Sequence, residues 1–232
     1  MENQIIKGSG VSSSLRAASS SDNRNQVVVA KPTTYLMAKR SLDVVGAFVG
    51  LILLAPVFFI VAILVKCTSK GPILFCQKRW GQGGSTFTCY KFRTMVTNAE
   101  EILKKNPEMM KAFEKDFKIK NDPRITPIGN FLRKSSLDEI PQLFNVFLGD
   151  MSLIGPRPKL TPELEKYHIY GPKVLSVKPG LSGLWQISGR SETSYDERIA
   201  LDVEYVDRCS MLLDLKLICQ TVIIVIAKRG AV

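Results

Sequence analysis

The 232-residue chain carries 32 Lys and Arg against 21 Asp and Glu, a formal charge of +11, with 45% hydrophobic residues. That apolar share excludes a chain disordered throughout and suffices for one compact domain plus appendages. The charge points to polyanionic partners, whether nucleic acid, anionic lipid or phosphorylated substrates, without choosing among them. Five scattered cysteines (Cys67, Cys76, Cys89, Cys209, Cys219) with no CxxC pair argue against a disulfide framework or a zinc site and favour a reducing compartment. A single histidine, His168, leaves little material for a His-based metal cluster or a Ser-His-Asp triad, and a surface or packing role is its default reading.

In chain order, residues 1–33 are polar and Ser-rich, which predicts a disordered arm, and no apolar core of a signal peptide follows the start. From Val44 to Val65 the chain runs 22 residues without a charge, VVGAFVGLILLAPVFFIVAILV. This exceeds the roughly 18 residues expected of a membrane helix. Lys39 and Arg40 flank it on one side, Lys66 and Lys70 on the other, so the excess of positive charge gives no clear orientation. Pro56 removes a backbone donor at the centre and disfavours helical angles at Ala55. These features fit a re-entrant hairpin over 34–70, a kinked spanning helix, or a buried core helix.

Beyond Lys70 the chain is soluble in character. Residues 73–77 and 86–92 alternate as strands around the turn GQGG at 81–84. Residues 96–120 place apolar side chains at helical spacing, predicting one or two helices; Asp122-Pro123 marks a turn; and a helix is expected over about 126–134 with Pro127 near its start. Ser136 and Glu139 stand in the S-x-x-E relation of a capping box, predicting a helix from there through Phe147 that Gly149 ends. Two closing helices are expected at 196–208 and 211–228. The last is apolar enough to lie at a membrane interface or to pack in the core.

Three stretches hold candidate chemistry. Asp138 and Glu139, with Arg133 and Lys134 just upstream, form a carboxylate pair beside cations, as Mg²⁺-assisted phosphate chemistry requires; a plain helix start reads equally well. In GPRPK at 155–159 the prolines present the Arg157 fork with little entropy left to lose, which suits bidentate phosphate binding. In YKFRTM at 90–95 a strand would show Lys91 and Arg93 on one face; a solvated basic face is the bland reading of both. Neither a Walker A sequence nor GxGxxG is present.

These blocks, in this order, resemble the bacterial sugar transferase family, the monotopic phosphoglycosyl transferases. The resemblance covers about 36–230 and rests on KRSLDVVGAF, the apolar run broken at Ala55-Pro56, YKFRTM, DPRITPIGNFLRKSSLDEIPQLFNV, GDMSLIGPRPKL, KPGLSGLWQISGR and LDVEYV. It implies a helix-break-helix that enters the membrane without crossing it, the break being Ala-Pro here where relatives often have Ser-Pro. It implies that Asp138 and Glu139 are the catalytic dyad: Asp138 attacks the β-phosphate of a UDP-sugar, UMP leaves, and undecaprenyl phosphate then takes the sugar phosphate. Glu139 would help hold Mg²⁺, and Lys91, Arg93, Arg133 and Arg157 would neutralise phosphate charge. Asp43 also matches the family pattern.

GLWQISGR resembles members that transfer galactose-1-phosphate to start exopolysaccharide or O-antigen synthesis, with glucose-1-phosphate transfer as the alternative. Larger relatives carry further spanning helices ahead of the catalytic part, so the chain is similar to the short form. The expected fold is α/β mixed and helix-dominated: an arm (1–33), a re-entrant membrane hairpin (34–70) and a small cytosolic catalytic domain with interfacial helices (71–232), at the cytoplasmic face of the inner membrane. UDP-sugar, undecaprenyl phosphate and membrane lipids are the expected partners; a homodimer is allowed, and no nucleic acid is expected. A non-catalytic adaptor for anionic lipid is the rival from another class.

Overall fold

A computed structural model describes residues 31–117, 119, 121–188 and 193–227, so most of the expected N-terminal arm lies outside the described residues. The fold is helix-dominated and mixed α/β. One long apolar helix, α1 (Thr33–Thr68), leads into a hairpin of β1 (Leu74–Trp80) and β2 (Thr86–Phe92). The strands pair antiparallel with Leu74 opposite Phe92 and Trp80 opposite Thr86, around a tight turn at Gln82–Gly84, as the alternation and the glycines predict. The charged stretch forms two helices, α2 (Ala99–Lys105) and α3 (Pro107–Asp116). Asn106 separates them and caps the second, its side chain accepting from Met109 N at 3.1 Å.

Next come α4 (Pro127–Ser135), a 3-10 turn (Leu137–Glu139) and α5 (Gln142–Leu148). Thr126 caps α4, accepting from Gly129 N at 3.0 Å. Gly149 ends α5 as expected, in the left-handed conformation (φ 99°) that glycine adopts without steric cost.

Two three-residue strands, β3 (Ser152–Ile154) and β4 (Gly180–Ser182), pair in parallel. Gly155 and Gly180 allow this approach, because a Cβ on Gly155 would lie 2.5 Å from Lys178 O. Short helices α6 (Thr161–Glu165), α7 (Gly171–Val174) and α8 (Leu184–Ile187) fill the intervening loops. The chain closes with α9 (Tyr195–Arg208) and α10 (Met211–Ile226), close to the expected boundaries.

The expected break at Ala55-Pro56 is not a loop: helix α1 runs uninterrupted through Pro56. A proline removes one backbone hydrogen bond and crowds the turn before it, and the helix continues through both. Opening a loop in an apolar segment would strand several more polar groups, so the helical state persists. Among the described residues α1 is long and apolar enough to cross a membrane, and little of it is buried. Leu53, Phe59 and Ile63 are among its many exposed side chains, at 71%, 69% and 62%.

Both ends of α1 nevertheless rest on the same domain. Near its start, Lys39 pairs with Asp214 of α10 at 2.9 Å, Arg40 donates to the carbonyls of Val146 and Phe147 (2.8 Å each), and Asp43 accepts from Ser152 Oγ and Leu153 N (2.9 Å each). Further along, Val61 and Val65 join Phe92, Leu132, Leu143, Val146 and Met151 in the principal core.

A second core gathers Ile154, Tyr205, Cys209 and Leu217 beneath α8, and a third gathers Leu164, Tyr167 and Val174. Asn145, fully buried, ties α5 to the hairpin: its Oδ1 accepts from Tyr90 N (3.0 Å) and its Nδ2 donates to Thr88 O (2.7 Å). Asn145→Ala leaves both backbone groups without that partner, so a loss of about 2–4 kcal/mol is expected, read as a lowered thermal midpoint of the purified protein. A change below about 0.5 kcal/mol would mean that these groups bond elsewhere.

Candidate active site

The acid pair sits where α4, the 3-10 turn and α5 meet the end of β2. Ser136 takes the left-handed conformation (φ 57°), its N–H satisfying the carbonyls of Leu132 and Arg133, and so ends α4. The capping box expected between Ser136 and Glu139 does not form, because no side-chain cap bond is made at Ser136. The expected single helix through Phe147 is instead a 3-10 turn and a short α-helix, with Pro141 preceding Gln142. The Glu139 side chain is taken by tertiary partners: its Oε1 accepts from Lys91 Nζ at 2.7 Å and from Arg157 Nη1 at 3.1 Å.

Each cation is held in turn. Lys91 is the penultimate residue of β2. The backbone on both sides of Arg157 is pinned: Gly155 N donates to Ser182 O (2.9 Å), Pro156 O accepts from Gly180 N (2.8 Å), and Pro158 O accepts from Arg79 Nη1 (2.5 Å). Lys159 pairs with buried Asp202 at 2.8 Å, and its carbonyl accepts from Trp80 N at the end of β1 (3.0 Å). Arg79 and Lys159 thus brace the proline-flanked loop from outside its own sequence. Arg133 projects from α4 and donates from Nε to Thr94 Oγ1 at 2.9 Å.

Arg93 does not join this group. The strand ends at Phe92, and the Arg93 guanidinium turns to the end of α1, donating to Ser69 O (2.8 Å), Ser69 Oγ (2.9 Å) and the carbonyl of Lys70. Buried there, it satisfies carbonyls at the helix terminus and offers no free fork to a phosphate. The alternation that put Lys91 and Arg93 on one face presumed that the strand continues. His168 is exposed in a turn. The five cysteines are free thiols.

The two carboxylates differ in their electrostatics. Asp138 is 9% exposed; burial first, and the charge of Glu139 second, push its pKa up to about 6, against the opposing pull of Lys91, Arg133 and Arg157. Burial would raise Glu139 as well, but the charges and hydrogen bonds of Lys91 and Arg157 outweigh it and hold that carboxyl far below the usual range. Glu139 is thus a permanent anion, whereas Asp138 titrates near neutrality and carries a poorly solvated charge above that point. Three cations around two carboxylates leave an excess of positive charge for a further anion.

Among the described residues no group of three or more His, Cys, Asp or Glu forms a metal cage. Mg²⁺ commonly needs only one or two protein carboxylates together with substrate phosphates and water. The residues present fit that mode: Lys91 and Arg157 both bond Oε1 of Glu139, so Oε2 is the oxygen they leave for a cation.

A desolvated carboxylate beside a fixed one, ringed by pinned Lys and Arg side chains, has the equipment of an enzyme acting on phosphorylated substrates. Residues 34–228 match the profile described as bacterial sugar transferase, and the chain belongs to that family. It is similar to the exopolysaccharide production protein ExoY of Rhizobium meliloti, 43% identical over 199 residues, which cover 84% of this chain and 88% of that protein. It is 44% identical to the undecaprenyl-phosphate galactose phosphotransferase of Salmonella typhimurium over 83% of this chain and 41% of that longer protein. It is 40% identical to the UDP-glucose:undecaprenyl-phosphate glucose-1-phosphate transferase of Klebsiella pneumoniae over 81% of this chain and 40% of that protein. The chain is accordingly an enzyme, a sugar transferase.

The raised pKa of Asp138 has a consequence for stability. A carboxyl that binds its proton more tightly in the folded state stabilises the fold below the unfolded pKa of 3.8, and this contribution is lost as pH rises through about 6. Asp138→Asn should therefore raise stability at pH 7–8 by on the order of 2–3 kcal/mol, with the gain vanishing below about pH 4. Thermal midpoints of the two proteins across that range check this; a pH-independent difference would contradict the assigned burial of charge.

Proposed function

We propose that the enzyme transfers hexose-1-phosphate from a UDP-sugar to undecaprenyl phosphate through a covalent intermediate on Asp138, starting an exopolysaccharide or O-antigen unit. The observation that carries this reading is the division of labour in the acid pair: Glu139 locked by Lys91 and Arg157, Asp138 buried and loosely neutralised beside it. The printed functions of the Salmonella and Klebsiella relatives support the chemical class, hexose-1-phosphate transfer to a lipid carrier.

In the first step a carboxylate oxygen of Asp138 attacks the β-phosphorus of the donor. The bond between that phosphorus and the bridging oxygen breaks, and UMP departs with the electron pair. In the second, an oxygen of the lipid phosphate attacks the same phosphorus and releases the Asp138 carboxylate. Burial favours this nucleophile, because a carboxylate stripped of water has less solvation to lose on attack. Arg157, Lys91 and Arg133 stabilise the charge on the phosphoryl oxygens. Mg²⁺, bound through Glu139 and the donor's diphosphate, would supply further charge neutralisation to the leaving group.

Galactose is the favoured hexose, on the resemblance of GLWQISGR at 183–190, with glucose as the alternative. The test is incubation of the membrane-reconstituted enzyme with UDP-hexose labelled in the sugar. Wild type should become labelled in the absence of lipid phosphate, more with UDP-galactose than with UDP-glucose. Asp138→Asn should take up none, and Glu139→Gln should turn over slowly with weakened Mg²⁺ dependence. Labelling that persists in Asp138→Asn excludes the covalent route.

The same reading makes α1 re-entrant, with the catalytic domain on the cytoplasmic face of the inner membrane. What supports it is that Lys39 and Arg40 before the apolar run and Ser69 after it all bond one domain. The exposed apolar residues of α5 (Phe144, Phe147, Leu148) and α10 (Leu212, Val222, Ile223) suit contact with the lipid surface. In intact cells with otherwise removed cysteines, a cysteine at position 37 and native Cys67 should react only after the cytoplasm is exposed. Labelling of the two from opposite sides would make α1 a spanning helix.

A further inference from the structure

Two guanidinium groups meet one indole beside the acid pair. Trp185, in α8, is 8% exposed; Arg157 Cζ lies 6.0 Å from its ring centroid and Arg198 Cζ 5.2 Å. Its neighbours Leu184 and Ile187, three positions apart on one side of the turn, pack against the core around Ile154, Tyr205 and Leu217. Arg157 in turn donates to Glu139 Oε1 at 3.1 Å. Arg198 belongs to the first turns of α9, and its Nη2 donates to Thr193 O at 2.9 Å. A continuous path therefore runs Arg198, Trp185, Arg157, Glu139.

This path has a physical use. Arg157 holds Glu139 through one nitrogen, and a single bond at the end of a long side chain leaves the fork free to swing. An indole at this range attracts the guanidinium through its negative face and limits that freedom. Two cations drawn to the same indole also restrain its ring. The partial negative charge of the π-system offsets repulsion between them.

We propose that Trp185 and Arg198 are positioning residues for the transfer reaction: Trp185 sets the Arg157 fork against Glu139, and Arg198 acts through Trp185. The inference rests on the reading of Asp138 and Glu139 as the reacting pair. Neither residue is required to touch the donor, so the effect falls on the turnover of bound substrate more than on its capture.

The experiment is steady-state UMP release by the full chain in lipid nanodiscs, with UDP-hexose and undecaprenyl phosphate. Trp185→Leu should lower kcat by about 10–100-fold while KM for the UDP-hexose moves by less than about 3-fold. Trp185→Phe, which keeps an aromatic face, should recover kcat to within about 5-fold of wild type. Arg198→Gln should lower kcat by about 3–10-fold in the wild-type background and add nothing in the Trp185→Leu background, because both act on one element. Wild-type kcat in Trp185→Leu, or multiplicative losses in the double variant, overturns the proposal. Should Trp185→Leu fail to fold, Arg198→Gln at full kcat overturns it equally. If the wild type itself releases no UMP, the proposed function falls and this inference with it. Wild-type release together with an unaffected Trp185→Leu removes the inference alone.

Discussion

One carboxylate oxygen, Glu139 Oε1, joins three stretches of chain: the 3-10 turn that carries it, the end of β2 through Lys91, and the proline-flanked loop through Arg157. The partners lie 48 and 18 positions away in sequence, so the site exists only when the hairpin, the α4–α5 corner and the β3–β4 crossing are all in place. A surface ion pair would contribute little. This one is partly shielded, and it gathers positive charge around a neighbour, Asp138, that lacks solvent of its own. The cost of burying Asp138 and the gain from fixing Glu139 are parts of one arrangement.

The apolar helix is bound to that arrangement at both ends. Arg93 lies two residues beyond Lys91, and where Lys91 reaches Glu139, Arg93 ties off the carbonyls that follow α1. On the other flank Asp43 takes Ser152 Oγ and Leu153 N at the start of β3, the strand that leads into the Arg157 loop. Two of the segments presenting cations to the acid pair are thus among those that hold the helix. Two short polypeptide paths thereby fix the acid pair relative to α1.

Sequence pattern made much of this legible, and its failures have identifiable causes. The β1–β2 hairpin and α4 with Pro127 at its start follow from local chemistry: alternation, and a proline in the first turn. The acid pair and Arg157 also stood out, because carboxylates beside cations and prolines flanking an arginine are local signals. Ser136 was ambiguous, since a serine between two helical stretches can cap the next helix or end the last. Tertiary partners decided for the second by taking Glu139. Arg93 was misplaced because a period of two cannot tell where a strand stops. β3 and β4 contribute three residues each, too few to show a period, and their pairing depends on glycines whose value appears only when two backbones meet. The roles of Arg79, Thr94, Lys159 and Trp185 lie in what they touch across the chain, which no single-sequence pattern encodes.

The contrast between two adjacent acids is the clearest instance of tertiary structure assigning chemistry that composition leaves open. Asp138 and Glu139 differ by one methylene and share a turn. The longer side chain reaches Lys91 and Arg157 and is fixed as an anion. The shorter one stays within the fold, feels the same cations only at a distance, and keeps a proton affinity near neutrality. Exchanging the two identities would move the reach to the wrong position: a glutamate at 138 would project its carboxyl further from its buried seat, and an aspartate at 139 would fall short of the cations. Side-chain length, acting through the charges each carboxyl can reach, separates a carboxyl that titrates near neutrality from a fixed counter-charge.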